Sequence, residues 1–293
     1  MEIFRILPAL AALAINLSAA AQTDCSLFFK KDKVQLPSAS SEQGATYKTL
    51  GHHGPAVENL QMALRLYFND SGAIDVYNKR KDGLELAPYG WYPTEAQQAA
   101  EGAGSDEYYV GKTMGLGGVA LRDGSETIRP VATQGRIAKA GRTRRGCFAE
   151  ITSRGVMLSD GPVDLTLRID VRDGSRWARV SASASRKVRF VTGINHPQIC
   201  TRTASKGLLG VWGVHPADVA KDPKPVGAAL SYKPRMFGTP EELPGMSAIV
   251  SAPRRRISTL VFSASSAQVL ASEGNASATD WDNYLKKMLP AAF

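Results

Sequence analysis

The sequence is poor in the residues that announce a metal or redox centre. Only three cysteines (Cys25, Cys147, Cys200) and four histidines occur in 293 residues. There is no CxxC pair, which removes the usual structural-zinc spacings. Three thiols cannot all pair within one chain; an oxidising compartment allows one disulfide, for which Cys147 with Cys200 is the trial pairing. Gly115-Leu116-Gly117-Gly118 lacks the GxGxxG spacing and a βαβ frame, so a dinucleotide loop is excluded and a tight turn or bulge is expected. Internal repeats are absent. No apolar run reaches the roughly 20 residues of a membrane span.

The longest such run, Ile6 through Leu17, follows Arg5 and precedes Ala19-Ala20-Ala21. It reads as an export signal over residues 1–21, although Glu2 offsets Arg5. Gln22-Thr23-Asp24 before Cys25 are not the small apolar residues of a lipoprotein box, so no lipid anchor is expected. The mature chain 22–293 is expected to be a single β domain, periplasmic or secreted.

Negative charge is also in deficit. Thirty-six Lys and Arg against 27 Asp and Glu leave a net charge of +9, which favours an anionic partner. The excess clusters at Arg136, Lys139, Arg142, Arg144 and Arg145 and again at Arg254-Arg255-Arg256. Neither cluster carries interleaved aromatics or a nucleic-acid motif. With export, acidic polysaccharide fits better than nucleic acid, and a merely solvated basic face is the plain alternative.

What the chain has in quantity is period-2 alternation. Val163 through Arg172 alternates apolar and polar strictly, Asp173-Gly174-Ser175 is a turn, and Ala178, Val180, Ala182 and Ala184 continue the apolar face. This predicts an antiparallel hairpin with one buried side. Lys187–Ile194 and Arg256–Ser263 read as further strands. Leu60 to Phe68 has helical composition but places Leu60, Met62, Leu64, Leu66 and Phe68 on every second position, so it is read as a strand. Pro216 to Pro244 reads as long loops. One helix follows Thr279 or Asp280 as cap, with Trp281, Tyr284, Leu285 and Met288 at helical spacing. The fold class is mainly β, a large antiparallel β-sandwich with a short C-terminal helix.

Reactive side chains concentrate between Gly51 and Tyr92. Gly51-His52-His53-Gly54-Pro55 holds two of the four histidines in a shaped loop, and loops on rigid sheets commonly carry function. If Leu60–Phe68 pairs with Ala73–Lys79, their polar faces combine into a cleft floor of Asn59, Arg65, Tyr67, Asp75, Tyr77 and Lys79. Trp91 and Tyr92 would supply a platform for a pyranose ring. Taken singly, a strand Arg or Tyr is surface decoration more often than not, and Asp75 could simply pair with Lys79. His196 and His215, each before a proline, could line the cleft or be structural. No cofactor is expected. A divalent metal on the four histidines is conceivable, but adjacent His52 and His53 point apart if extended and ligate one ion poorly.

GHHGPAVEN (51–59), LRLYF (64–68), AIDVYNK (73–79), WYP (91–93), VGKTMGLGG (110–118) and TGINH (192–196), in this order, resemble a secreted bacterial family known mainly as a domain of unknown function, whose members cluster with polysaccharide-degrading enzymes. The resemblance implies a sandwich of the type seen in sugar mutarotases and many polysaccharide lyases. It also suggests a relation to an oligosaccharide dehydratase of ulvan breakdown. For such a family this chain is short.

The expected activity is a carbon–oxygen lyase or dehydratase that eliminates on uronic-acid-containing oligosaccharides. Arg65 and Lys79 would neutralise the uronate. His53 or His52 would be the base, and Tyr77 or Tyr67 the acid. Glu58 and Asn59 would hold the loop or bind hydroxyls. The rivals are a glycoside hydrolase using Glu58 and Asp75 and a non-catalytic binder of acidic glycans.

Overall fold

The computed structural model describes residues 22–42, 47–90, 92–218, 220–272 and 274–288. Residues 1–21, read above as an export signal, and Trp91 lie outside them. Among the described residues no helix is long and apolar enough to cross a membrane.

Two antiparallel sheets dominate. A small sheet orders Thr23–Ser26, Ala56–Asn59, Ala63–Leu66 and Ile74–Tyr77 side by side. The large sheet runs from the edge strand Cys200–Ser205 through Leu208–Gly213, Val226–Ser231, Arg254–Ser265, Ala178–Asn195, Gly161–Arg172, Gly146–Leu158 and Arg136–Thr143 to Ser38–Ser41. The hairpin read from alternation forms in register, with Leu165 opposite Ala184, Leu167 opposite Ala182 and Ile169 opposite Val180. All six face one core with Val57, Leu64, Leu66 and Val76 of the small sheet (Ala184 only partly buried). Burial of these side chains, about 1.5–3 kcal/mol for each large aliphatic one, holds the sheets together.

The long strand Ala178–Asn195 bends where its register slips between Ser183 and Val188. Its second half leaves the large face to pair with Leu116–Asp123 and Met246–Val250. Gly117 (φ +75°) sits where the register of that pairing shifts between Thr192 and Ile194. The glycine segment is therefore a bulge, as expected.

Several expectations need correction. Leu60–Phe68 is not one strand: Ala56–Asn59 turns at residues 60–62 into Ala63–Leu66. Asn59 causes this, because its side-chain oxygen accepts from the Gln61 and Met62 amides, both at 2.9 Å, an Asx-type turn. Residues 216–244 contain a fully buried central strand, Val226–Ser231, as well as loops. The C-terminal helix is Ala278–Met288, and its start is held by Ser277, whose hydroxyl accepts from the Asp280 amide while the Asp280 carboxylate accepts from the Ser277 amide. Asp280 thus closes the cap rather than being it. Trp281 and Leu285 of this helix bury against Trp212, Leu260 and Phe262 on the outer side of the large sheet.

The Cys147–Cys200 pairing fails. All three cysteines are free, and five strands separate those of Cys147 and Cys200 in the sheet order, roughly 25–30 Å at normal strand spacing. Cys147 instead lies against the N-terminal strand that carries Cys25, its thiol 2.8 Å from the Asp24 carbonyl. The first basic cluster also divides. Arg136 is buried, donating to Asp70 at 2.6 Å and to the Pro130 carbonyl at 2.8 Å, while Lys139, Arg144 and Arg145 remain exposed.

Candidate functional site

The small sheet and its flanking loops form a cleft of about 360 Å³ whose lining includes His53, Tyr67, Asp75, Asp106, Tyr109 and Lys112. The pairing inferred from alternation creates its floor: Ala63–Leu66 lies against Ile74–Tyr77 with Arg65 opposite Asp75. Opposed residues in an antiparallel pair share a face, so the guanidinium meets the carboxylate. Arg65 bonds Asp75 and, at 2.9 Å, Asp106, and its guanidinium carbon lies 4.8 Å from the centre of the Tyr92 ring. It is wholly buried, and the two carboxylates hold it well above its ordinary value despite that burial. Its charge is thereby matched by Asp75 and Asp106.

Asp75 accepts a hydrogen bond of 2.5 Å from the Tyr67 hydroxyl. Burial pushes its carboxyl up to about 7, against the pull of Arg65 and with a further push from Asp106. Burial likewise raises the Tyr67 phenol, which stays protonated throughout the working range.

His52 and His53 both occupy the left-handed region, at φ +52° and +59°. Non-glycine residues are uncommon there, at a cost of about 1–3 kcal/mol each. The loop is held in place by bonds from the Phe68 amide to the His53 carbonyl (2.8 Å) and from the Gly54 amide to the Gly51 carbonyl (3.0 Å). Gly51 is required where it stands, because a Cβ would lie 2.1 Å from the Phe28 ring. The turn sends the two imidazoles apart. His52 is buried with its ring edge-on to Phe28, whereas His53 is half-buried, facing Tyr47 and Tyr67 at ring-centre distances of 5.1 and 5.7 Å. Burial first, then Lys30 and Arg65, push the His53 imidazole down to about 4. It is a neutral base at neutral pH, beside the phenol that leads to Asp75.

The other expected site residues are elsewhere. Glu58 and Lys79 are an ion pair at 2.5 Å with both side chains fully buried. Glu58 also accepts from the Glu85 and Leu86 amides, and Lys79 donates to the Asn59 carbonyl. Asn59 clamps the carbonyls of Arg172 and Ser175. Tyr77, 1% exposed, donates to Glu85 at 2.6 Å. Their strands are buried on both faces, since Leu86 packs on Ala56, Ala63 and Tyr77, so Glu58, Asn59, Tyr77 and Lys79 fasten the sheet and do not line the cleft. Tyr92 is half-buried with one face beneath Arg65, and His52 points into the interior. His215 is buried against Tyr108, and His196 sits with Glu242 and Arg202 in a different pocket.

Sequence reasoning missed Asp106, Tyr109 and Lys112. They lie in a segment without periodicity, and the run Ser105-Asp106-Glu107-Tyr108-Tyr109, two acids then two phenols, was its available signal. Among the described residues no three His, Cys, Asp or Glu side chains converge as metal ligands.

With this geometry in hand, the profile of a domain of unknown function, DUF4861, matches residues 16–291. The chain belongs to the DUF4861 family. No curated protein matches this DUF4861 chain in sequence. Among solved structures it is similar to a protein described as a kojibiose phosphorylase from human microbiome, at TM-score 0.44 and 11% identity over 80% of this chain. The match spans 32% of the phosphorylase's length. It is also similar to a protein described as an aldose 1-epimerase from Klebsiella pneumoniae, at TM-score 0.37 and 5% identity, covering 92% of this chain and 95% of the other.

Proposed function

We propose that this DUF4861 protein is an exported carbon–oxygen lyase or dehydratase acting by β-elimination on uronic-acid-containing oligosaccharides. The observation that carries the reading is the neutral His53 imidazole edge-on to Tyr67, whose hydroxyl is bonded to a carboxyl raised to about 7. A base and a proton donor thus share one cleft. His53 takes the proton beside the sugar carboxylate, Tyr67 protonates the departing oxygen, and Asp75 restores the Tyr67 proton. The uronate is met by Lys112, the exposed cation of the lining, because Arg65 is buried and paired with Asp106 and Lys79 with Glu58. Arg65 is then a positioning residue that fixes Asp75.

A second reading has one observation in its favour. Asp75 and Asp106 share the Arg65 cation, and a pair of carboxyl groups of which one is protonated near neutrality suits glycoside hydrolysis. The Glu58–Asp75 pair does not, because Glu58 is sealed against Lys79. Mass spectrometry of products from oligouronates separates the readings. Elimination gives fragments, or a dehydrated sugar, with a new double bond and no gain of water. Products whose masses together exceed the substrate by one water would overturn the lyase reading, and binding without turnover would overturn both.

A further inference from the structure

The outer face of the large sheet carries a second, differently charged depression, which does not depend on the reading of the cleft. Register sets its composition. Glu150, Arg168, Ser181 and Ser258 lie side by side across four strands, and Thr166, Ser183 and Arg256 form the next row. Directly opposed residues share a face, and the alternate positions Leu167, Ala182 and Ile257 are in the core, so both rows face outward. Residues 233–236 close one side, and the groove so formed has a volume of about 480 Å³.

Two of its cations, Arg168 and Arg179, are held in place rather than left to wave in solvent. Arg168 stacks on the Phe148 ring at 3.8 Å and is gripped by Asp170 at 2.8 Å and Glu150 at 3.4 Å. Arg179 donates to the Ser258 hydroxyl at 3.1 Å with its guanidinium 5.9 Å from Trp177. Arg256 and Lys233 are exposed at the groove. Side chains fixed before binding lose less entropy when they bind, and an arginine fork matches a carboxylate or sulfate.

The geometry points to a binding site for an anionic polysaccharide in this groove, separate from the cleft. Arg179, Arg256 and Lys233 would take its carboxylates or sulfates. Glu150 and the serine and threonine hydroxyls would take its hydroxyl groups. The interleaved acid decides between polyanions: Glu150 can accept from a sugar hydroxyl but repels a nucleic-acid backbone, which presents few donors. A long acidic chain held here would stay near the cleft through many encounters.

The test is binding of the full chain to polygalacturonate, with neutral dextran and duplex DNA as comparators. Arg256→Glu alters an exposed side chain, and Arg179→Ala with Arg256→Ala removes two contacts; a thermal melt of each confirms folding. The expected result is salt-sensitive binding to polygalacturonate, weakened about tenfold or more by either variant and unchanged by His53→Ala. Unchanged binding in folded groove variants would overturn the site. So would loss confined to His53→Ala, or binding of DNA in preference to the glycan.

Discussion

The Glu58–Lys79 pair separates a structural from a substrate-binding assignment most sharply. Lys79 Nζ lies 2.5 Å from Glu58 and 2.7 Å from the Asn59 carbonyl, and also contacts the Gly83 carbonyl. Lys79→Met removes the cation and leaves a carboxylate that water cannot reach. Breaking one side of a buried pair costs about 3–5 kcal/mol. At about 2 °C per kcal/mol for a chain of this size, the midpoint of thermal unfolding falls by roughly 6–10 °C. Burial already holds the Glu58 carboxyl above its usual range, with Lys79 pulling it back, so losing Lys79 raises it further. A group whose folded value is raised contributes its stability at low pH and loses it as pH rises through that value. The deficit of the variant is therefore largest at neutral and alkaline pH and shrinks on acidification. Glu58→Gln combined with Lys79→Met removes the stranded charge and recovers part of the loss. Calorimetry across pH reads all of this. A Lys79→Met protein that melts normally but binds oligouronates poorly would refute the reasoning and return Lys79 to the substrate.

The remaining expectations rest on other parts of the structure. Turnover requires neutral His53 and protonated Asp75, so its pH profile should rise through about 4 and fall through about 7; Asp75→Asn should abolish the descending limb, and a wild-type profile flat to high pH would remove Asp75 from the relay. Gly227→Ala should cost about 1–3 kcal/mol, because the added Cβ would lie 2.4 Å from the Trp281 ring, and tryptophan fluorescence should report the loosened C-terminal helix. Mild oxidation of the folded chain should join Cys25 to Cys147, whose thiol already lies against the carbonyl of the preceding residue, Asp24; peptide mapping that instead joins Cys147 to Cys200 would contradict the strand order.

Alternation carried most of the sheet. It placed Val163–Arg172 against the strand beginning at Ala178 and gathered Arg65 and Asp75 onto one floor, where the strands set them directly opposite each other. Period two says which side chains share a face, however, and not whether that face is covered. Leu86 and its neighbours cover the Tyr77 end of the face that Tyr77 shares with Asp75, which is why Glu58, Tyr77 and Lys79 are internal while Tyr67 and Asp75 reach the cleft. The histidine pair was legible as a shaped loop, but the two left-handed residues that send one ring inward and the other outward leave no mark in composition. Asp106 and Lys112 come from an aperiodic segment brought over the floor by isolated backbone contacts, such as Asn78 with Ser105 and Ile74 with Gly115.

The central claim is that His53 removes a proton beside a sugar carboxylate. The most direct measurement is ultraviolet absorbance of a panel of oligouronates incubated with the purified protein and with its His53→Ala variant. The account predicts a steady rise from the new conjugated double bond with the wild type, reduced by about 10²–10⁴-fold in the variant. A wild-type rise that the variant matches would remove His53 as the base, and no rise with any oligouronate would contradict elimination itself.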